Sequence, residues 1–228
     1  MSGSSAVAVL FDFGGTLDAD GVAWKERLYR LYRNEGAGVA PEQFDPLFYA
    51  ADDALTSSVS PTLSFRDTVR ALVESVTEAL GLHDHALARR IADRFLEDAL
   101  EHLHHNAGVL RGLSRRYRLG VVSNFYGNLA TVCEDAGIRP FFTTVVDSGR
   151  TGYAKPDPRI FHQALEALGA DAARALFVGD SLLRDMAGAR AVGMPHIWLT
   201  PAAHDGEKPC CPGDRMIHSL DELDEGLP

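Results

Sequence analysis

Short apolar segments recur along the chain, and each ends in polar or glycine-rich residues. Continuous apolar runs of this length, rich in valine, are typical of strands buried on both faces of a parallel sheet. Segments with helical spacing of apolar residues separate the last four runs, as in residues 157–169. Strands that alternate with helices predict an α/β fold with a doubly wound parallel sheet. The predicted strands are AVAVLFDF, RLGVVSN, FFTTVVDS, ALFVGDS and HIWLT, with RMIHSL as a short edge strand.

The stretch between the first and second predicted strands has a different pattern. From about residue 20 to residue 105, apolar residues recur at helical spacing and strand signals are scarce. One apolar stripe runs from Phe65 to Leu80, and another runs from Leu87 to Leu103. This pattern predicts an all-helical insertion. The predicted organisation is an α/β core of residues 1–19 and 106–228 with a helical cap of residues 20–105.

Composition and charge narrow the classes of partner. The chain has 228 residues, of which 46% are hydrophobic, and a formal net charge of -10. This acidity, without a long basic stretch, argues against nucleic acid and anionic membranes as partners. The N-terminal apolar run is too short for a signal peptide or a membrane span. Because Cys133, Cys210 and Cys211 match neither a disulfide framework nor a zinc pattern, we expect a cytoplasmic protein, whose oligomeric state the sequence leaves open.

Polar residues suited to phosphate and metal chemistry follow the predicted strands. Ligands of an open parallel sheet bind outside the carboxyl ends of its strands, so these side chains should converge. Mg²⁺ prefers carboxylate oxygens together with water and substrate phosphate, and a helix beginning after Ser123 would offer N–H donors to an anion. A lysine can offset the charge that builds on transferring oxygens, and Asp12 could be a metal ligand, a nucleophile or both. The candidate site residues are Asp12, Ser123, Asn124, Lys155, Asp180 and Asp185.

Four segments, FDFGGTLD, VVSN, KPDPRIF and VGDSLLRDMAGA, resemble the ordered motifs of the haloacid dehalogenase superfamily. The resemblance covers nearly the whole chain, and the helical insertion resembles the first type of cap in that family. The resemblance implies that Asp12 is the nucleophile and that the cap closes over the site and chooses the substrate. It also implies that Ser123, Asn124 and Lys155 hold the transferring group. The implied Mg²⁺ ligands are Asp12, the backbone carbonyl of Gly14, Asp180 and, directly or through water, Asp185.

The first motif lacks one residue that phosphatases of this family usually carry. A second aspartate, two positions after the nucleophile, protonates the leaving group and later activates water, but this chain has Gly14 there. A positioned acid or base typically supplies roughly 10²–10⁴-fold in rate. Three responses are open: a substrate with a good leaving group, another acid such as Asp18, Asp20 or a cap residue, or a reaction that needs no acid.

The acidic fourth motif favours the phosphatase interpretation. Without a cation, Asp180 and Asp185 would repel Asp12, and the dehalogenases of the family carry no such acidic metal site. We therefore predict a Mg²⁺-dependent phosphohydrolase that acts on a small phosphorylated metabolite through an aspartyl-phosphate. The alternatives are a catalytically weak protein that binds a phosphorylated ligand, a 2-haloacid dehalogenase-type hydrolase, and a phosphonate-cleaving enzyme with Lys25 as its Schiff-base partner.

Overall fold

The computed structural model describes residues 6–202 and 215–223, and its centre is a six-stranded sheet. The strand order is β3-β2-β1-β4-β5-β6, and every described pairing of neighbouring strands is parallel. The predicted α/β fold with a doubly wound parallel sheet is therefore confirmed, and so is the short edge strand. The strands are β1 (Ala8–Phe11), β2 (Arg118–Ser123), β3 (Thr144–Asp147), β4 (Ala175–Gly179), β5 (His196–Leu199) and β6 (Arg215–Ile217).

Four helices lie between β1 and β2, and we call them the cap helices. Asp84 caps the last of them by accepting hydrogen bonds from the backbone N–H groups of Ala86 and Leu87. That helix continues without a break across the predicted boundary at residues 105 and 106, and the division of the chain into core and cap stays a prediction. The cap helices are α1 (Trp24–Asn34), α2 (Pro41–Ser58), α3 (Phe65–Ala79) and α4 (His85–Ser114).

The remaining helices follow the strands of the sheet. The helix expected over residues 157–169 begins at Pro158 and ends at Leu168, because Asp157 accepts the backbone N–H of Arg159 and Gly169 adopts a positive φ. A short 3₁₀ turn, Leu220–Leu223, ends the described residues. The helices are α5 (Leu129–Asp135), α6 (Ser148–Thr151), α7 (Pro158–Leu168) and α8 (Ala187–Ala191).

Buried apolar side chains form a separate cluster on each face of the sheet. Alternate residues of β1 point to opposite faces, so Val9 and Phe11 join one cluster and Ala8 and Leu10 join the other. The first cluster continues from the sheet into the cap helices, where it includes residues such as Phe95. The sheet therefore packs against the cap helices through one shared core.

Two further features concern membrane spans and cysteines. None of the described helices combines the length and the apolar character needed to cross a membrane. Cys133 is a buried free thiol, and burial raises its pKa to about 12. Cys210 and Cys211 lie outside the described residues.

Candidate active site

Asp12 lies at the end of the central, fully buried strand β1. Its backbone N–H donates to the carbonyl of Val178 on β4 at 2.9 Å, and the N–H of Phe13 donates to Asp12 Oδ1 at 2.7 Å. The residue is only 7% exposed. The sheet therefore fixes one carboxylate at the edge where the parallel strands end.

The turn after Asp12 requires glycine at position 15. Gly15 has a φ of +88°, and a Cβ atom there would lie 2.6 Å from Asp180 Oδ2. The neighbouring Thr16 hydroxyl donates to Asp180 Oδ1 at 3.3 Å. The missing side chain of Gly15 thus lets the carboxylate that follows β4 approach the turn that follows β1.

Lys155 brings a buried positive charge to the same place. Its Nζ lies 2.7 Å from Asp12 Oδ1 and 2.6 Å from Asp185 Oδ1, and its side chain is 1% exposed. Burial lowers the pKa of Lys155, but Asp12 and Asp185 outweigh that effect and raise the pKa above its ordinary value. The side chain is therefore an ammonium that faces two carboxylates.

Asn124 and Ser123 lie beside Lys155 at the end of β2. The Asn124 amide donates to the backbone carbonyl of Lys155 at 3.1 Å and accepts from its N–H at 2.7 Å. Ser123, the last residue of β2, is also buried. The contact of Asn124 is thus with the main chain of Lys155, which it holds in place beside Asp12.

The helix that follows Ser123 begins at Leu129. Asp147 Oδ2 accepts the N–H groups of both Gly127 and Leu129 at 2.9 Å, so the side chain that ends β3 caps this helix. A carboxylate from the neighbouring strand therefore occupies the start of this helix and takes N–H groups that the sequence analysis offered to an anion.

Three carboxylates meet at this edge of the sheet. Asp12, Asp180 and Asp185 each offer one oxygen, and these oxygens lie within 4.8 Å of one another. Gly179 makes room for the cluster, because a Cβ atom there would collide with the Asp185 carboxylate. Burial and the neighbouring carboxylates raise the pKa of Asp180 well above its ordinary value, and burial also raises that of Asp185.

Clustered, partly desolvated carboxylates of this kind fit a hard divalent cation. Mg²⁺ takes oxygen ligands and is commonly held by one or two carboxylates together with water and substrate phosphate. The described residues provide hard oxygen ligands, and the unfavourable repulsion among them would be relieved by a cation. No contact of the Gly14 carbonyl supports or opposes its predicted role as a further ligand.

The position of the absent acid is covered by an indole ring. A Cβ atom at Gly14 would lie 3.2 Å from Trp24 Nε1 and 3.3 Å from its Cδ1. The indole N–H donates to Asp18 Oδ2 at 2.6 Å, and Asp18 also accepts from the Gly15 N–H and from Arg27. Asp18 is fully buried and bound by three donors. It therefore holds the turn and the start of α1 together, and it does not supply the missing acid.

Asp20, another candidate for the missing acid, lies away from the reacting groups. Asp20 lies 3.7 Å from His102 and does not line the cavity above Asp12.

Lys25, the candidate Schiff-base lysine, does line the cavity, but its Nζ lies 2.6 Å from Asp45 and 3.0 Å from Glu26. Burial lowers the pKa of Lys25 and these hydrogen bonds outweigh it, so that the pKa is raised. A protonated, ion-paired amine does not suit a Schiff base.

A cavity of about 100 Å³ lies above Asp12, between the strand ends and the cap helices. It is smaller than drug-sized ligand pockets, which typically have volumes of roughly 300–1,000 Å³. Several residues that line the cavity were absent from the sequence-based candidates, among them Asp52 on α2, Tyr126 after β2 and Arg184 beside Asp185. Arg184 lies inside the VGDSLLRDMAGA motif and Tyr126 lies two residues after VVSN, whereas nothing in the sequence marks Asp52.

The comparison with known families decides the assignment. Residues 7–193 match the family of haloacid dehalogenase-like hydrolases. The chain belongs to this family. The predicted superfamily is therefore confirmed, and the prediction of a hydrolase is confirmed with it.

Several curated proteins with different names are similar in sequence to this chain. Haloacid dehalogenase-like hydrolase domain-containing protein 3 of Bos taurus is 35% identical over 165 residues, which cover 67% of this chain and 64% of the relative. The match thus spans a little under two thirds of that relative's length. Phosphoserine phosphatase of Thermus thermophilus is 32% identical, with 64% of this chain and 58% of the relative covered. Glyceraldehyde 3-phosphate phosphatase of Pyrococcus abyssi is 42% identical over 36% of this chain and 35% of the relative.

Solved structures share the fold over nearly the whole chain. A HAD-hydrolase of Bacillus subtilis bound to magnesium has a TM-score of 0.60 and 22% identity, with 97% of this chain and 98% of that chain covered. A 2-haloacid dehalogenase of Pseudomonas syringae has a TM-score of 0.53 and 26% identity, with 96% and 97% covered. Both similarities agree with the α/β architecture described above.

Proposed function

We propose that the protein is a cytoplasmic, Mg²⁺-dependent phosphohydrolase that forms an aspartyl-phosphate on Asp12 and acts on a small phosphorylated metabolite. One observation carries this proposal. A lysine-paired aspartate at the end of the central strand lies within 4.8 Å of two more carboxylates, below a small cavity. A nucleophile, a cation site and a cationic phosphate ligand are the groups that phosphoryl transfer needs.

The carboxylates of Asp12, Asp180 and Asp185 would hold the cation. When bound, Mg²⁺ would neutralise charge on the transferring phosphoryl oxygens and relieve the repulsion among its ligands. The same three side chains are those that the sequence predicts as ligands together with the Gly14 carbonyl, whose role stays a prediction.

The chain's own residues divide the remaining work. Asp12 attacks phosphorus, and its hydrogen bond from the Phe13 N–H fixes the orientation of the carboxylate. The Lys155 ammonium binds the transferring oxygens at the point where it now lies between Asp12 and Asp185. Asn124 positions Lys155 through the main chain of Lys155, and Ser123 lines the same cavity.

The small cavity supports a small substrate, and the relatives that are named as phosphatases support a phosphate ester. Phosphoserine and glyceraldehyde 3-phosphate, which name two of those relatives, are both small phosphorylated metabolites. The dehalogenase alternative is less well supported. Displacement of a halide needs no metal, and the three clustered carboxylates would then have no metal ion to offset the repulsion that remains beside Lys155.

The test is phosphate release from p-nitrophenyl phosphate and acetyl phosphate, with Mg²⁺ and with EDTA. Both leaving groups depart easily, so the absent acid at Gly14 should matter little. We expect turnover that EDTA abolishes and that Asp12→Asn lowers by at least ~10³-fold. The matched control is Asp53→Asn on the exposed face of α2, which should keep wild-type rates.

Other outcomes point to the alternatives. Halide release from a 2-haloacid that survives EDTA would favour a dehalogenase. No turnover above that of Asp12→Asn on any of these compounds, combined with Mg²⁺-dependent binding of a phosphorylated ligand, would favour a binding protein.

A further inference from the structure

The cavity contains one carboxyl group that the proposed mechanism has not used. Among the described residues that line it, only Asp12 and Asp52 carry carboxyl groups. Asp52 belongs to α2, so it reaches the cavity from the cap helices, whereas Asp12 reaches it from the sheet. The two carboxyl groups therefore border the same space from opposite sides.

Asp52 is held by Tyr126, which follows the end of β2. The Tyr126 hydroxyl donates a hydrogen bond to Asp52 Oδ1, and Tyr126 is buried. Burial and the nearby Asp52 raise the pKa of Tyr126 well above its ordinary value. The tyrosine therefore keeps its proton and acts as a fixed donor that orients the carboxyl group.

The surroundings of Asp52 favour its protonated form. Burial raises the pKa of Asp52, and the adjacent Asp53 adds to that effect, whereas the Tyr126 hydrogen bond and Arg184 lower it. Lys25 and Tyr49 also line this cavity, and the Lys25 ammonium is ion-paired with Asp45 and Glu26 rather than with Asp52. The net result is a raised pKa, which suits a general acid at neutral pH.

In-line displacement sets where an acid is needed. The leaving oxygen departs from the side of phosphorus opposite the attacking oxygen. Because Asp12 attacks from the end of the sheet, the leaving oxygen points towards the cap helices. Water attacks the aspartyl-phosphate along the same direction later, so one group on that side can serve both steps.

We propose that Asp52 is the general acid–base of this enzyme and replaces the carboxylate that is absent at Gly14. This inference rests on the proposed phosphohydrolase function. In the first step the bond between phosphorus and the ester oxygen breaks as Asp12 bonds to phosphorus, and Asp52 gives its proton to the departing oxygen. In the second step water bonds to phosphorus, the Asp12–phosphorus bond breaks, and the Asp52 carboxylate takes the water's proton.

The test compares kcat/KM across phosphate monoesters whose leaving groups range from p-nitrophenol to simple alcohols. For the alkyl esters, Asp52→Asn should lower kcat/KM by roughly 10²–10⁴-fold. For p-nitrophenyl phosphate the loss should stay within about threefold, since nitrophenolate departs without a proton. Glu42→Gln, an exposed change at the start of the same helix, should follow the wild type for every ester.

The pH dependence gives a second measurement. For an alkyl ester, kcat/KM of the wild type should fall as pH rises through the pKa of Asp52, and Asp52→Asn should lose this alkaline limb. Tyr126→Phe removes a hydrogen bond that lowers this pKa, so it should move the limb upwards by about one pH unit. A residue that merely links α2 to the β2 loop would not move this limb.

The outcomes separate the two proposals. Wild-type turnover with an equal loss in Asp52→Asn for every ester, or with no loss for any ester, would overturn the role of Asp52 alone. Absence of wild-type turnover on every ester, including p-nitrophenyl phosphate, would overturn the proposed function and this inference together. Far-ultraviolet circular dichroism and the Mg²⁺-induced shift in Tm would show that Asp52→Asn is folded.

Discussion

Asp12 and Asp18 both lie in the turn that follows β1, but the charges around the two carboxylates differ. At Asp12, three carboxylates crowd together, and Lys155 pairs with two of them. Asp18 is a single buried carboxylate that receives hydrogen bonds from the Gly15 N–H, the Trp24 indole and Arg27. The first arrangement is unfavourable until a cation arrives, whereas the second is complete within the folded chain.

This comparison separates residues that serve chemistry from residues that serve the fold. Both sites are acidic, both are buried, and both are encoded within the segment FDFGGTLD. Their partners distinguish them, and those partners come from β4, the Lys155 loop and α1. Substitutions at the two sites should therefore change stability in opposite directions.

The largest effect on stability should come from Asp18→Asn. This substitution keeps the shape of the side chain but removes the negative charge from a fully buried ion pair with Arg27. Breaking such a pair costs about 3–5 kcal/mol, because the buried guanidinium keeps only the exposed Asp98 as an ion-pair partner. Urea denaturation would measure the free energy of unfolding, and a loss below about 1 kcal/mol would contradict the structural role of Asp18.

A smaller loss should follow from Gly14→Asp. The new Cβ would lie 3.2–3.3 Å from the Trp24 ring, which is held by Asp18 and packs against Phe65, Phe95 and Phe125. Overpacking of this kind costs about 1–3 kcal/mol. Restoring the acid position should therefore lower stability and should not raise activity on alkyl phosphates.

A double-mutant cycle would sharpen the Gly14 prediction. Trp24→Leu alone should be destabilising, but combined with Gly14→Asp it should cost less than the sum of the two changes, because the ring no longer fills the space. Additive losses would show that the indole does not restrict position 14. A gain of alkyl phosphatase activity in Gly14→Asp alone would contradict the same conclusion.

Asp180→Asn should change stability in the opposite direction from Asp18→Asn. In EDTA the free energy of unfolding should rise by about 0.5–2 kcal/mol, because one of three mutually repelling carboxylates is gone. In the same variant, the increase in Tm that Mg²⁺ causes in the wild type should disappear. Thermal unfolding with and without Mg²⁺ would measure both, and lower stability in EDTA would refute the predicted repulsion.

The smallest effect should come from Asp98→Asn, at the outer end of the Asp18 network. Asp98 also pairs with Arg27, at 2.8 Å, but its side chain is 53% exposed. An exposed ion pair contributes about 0.2–1 kcal/mol. A loss as large as that of Asp18→Asn would mean that burial does not distinguish the two partners of Arg27.

The sheet could be predicted from the sequence because its strands are continuous apolar runs. Strands of a parallel sheet are buried on both faces, so β1, β2 and β4 carry little polar interruption until they end. Because the carboxyl ends of parallel strands lie at one edge of the sheet, the sequence also predicts that Asp12 and Asp180 lie close together. Their roles stay predictions, although the structure does bring their oxygens together.

The features that the sequence did not reveal depend on tertiary contacts. Asp147 caps α5 from the end of β3, about twenty residues away along the chain, so a carboxylate of the chain itself takes the N–H groups at the start of this helix. Trp24 covers Gly14, and Asp52 reaches the cavity, only because α1 and α2 fold back over the strand ends. No local pattern of spacing encodes which side of a cap helix meets a loop of the sheet.

The apolar core that the sheet shares with the cap helices affects how the protein unfolds. One cluster runs without interruption from Val9 and Val121 in the sheet to Leu72 and Phe95 in the cap helices. Neither part can lose its packing without exposing the other, so heat or denaturant should melt them in a single cooperative transition. An isolated fragment spanning only the cap helices would present the sheet-facing side of this cluster to water, and we expect it to aggregate.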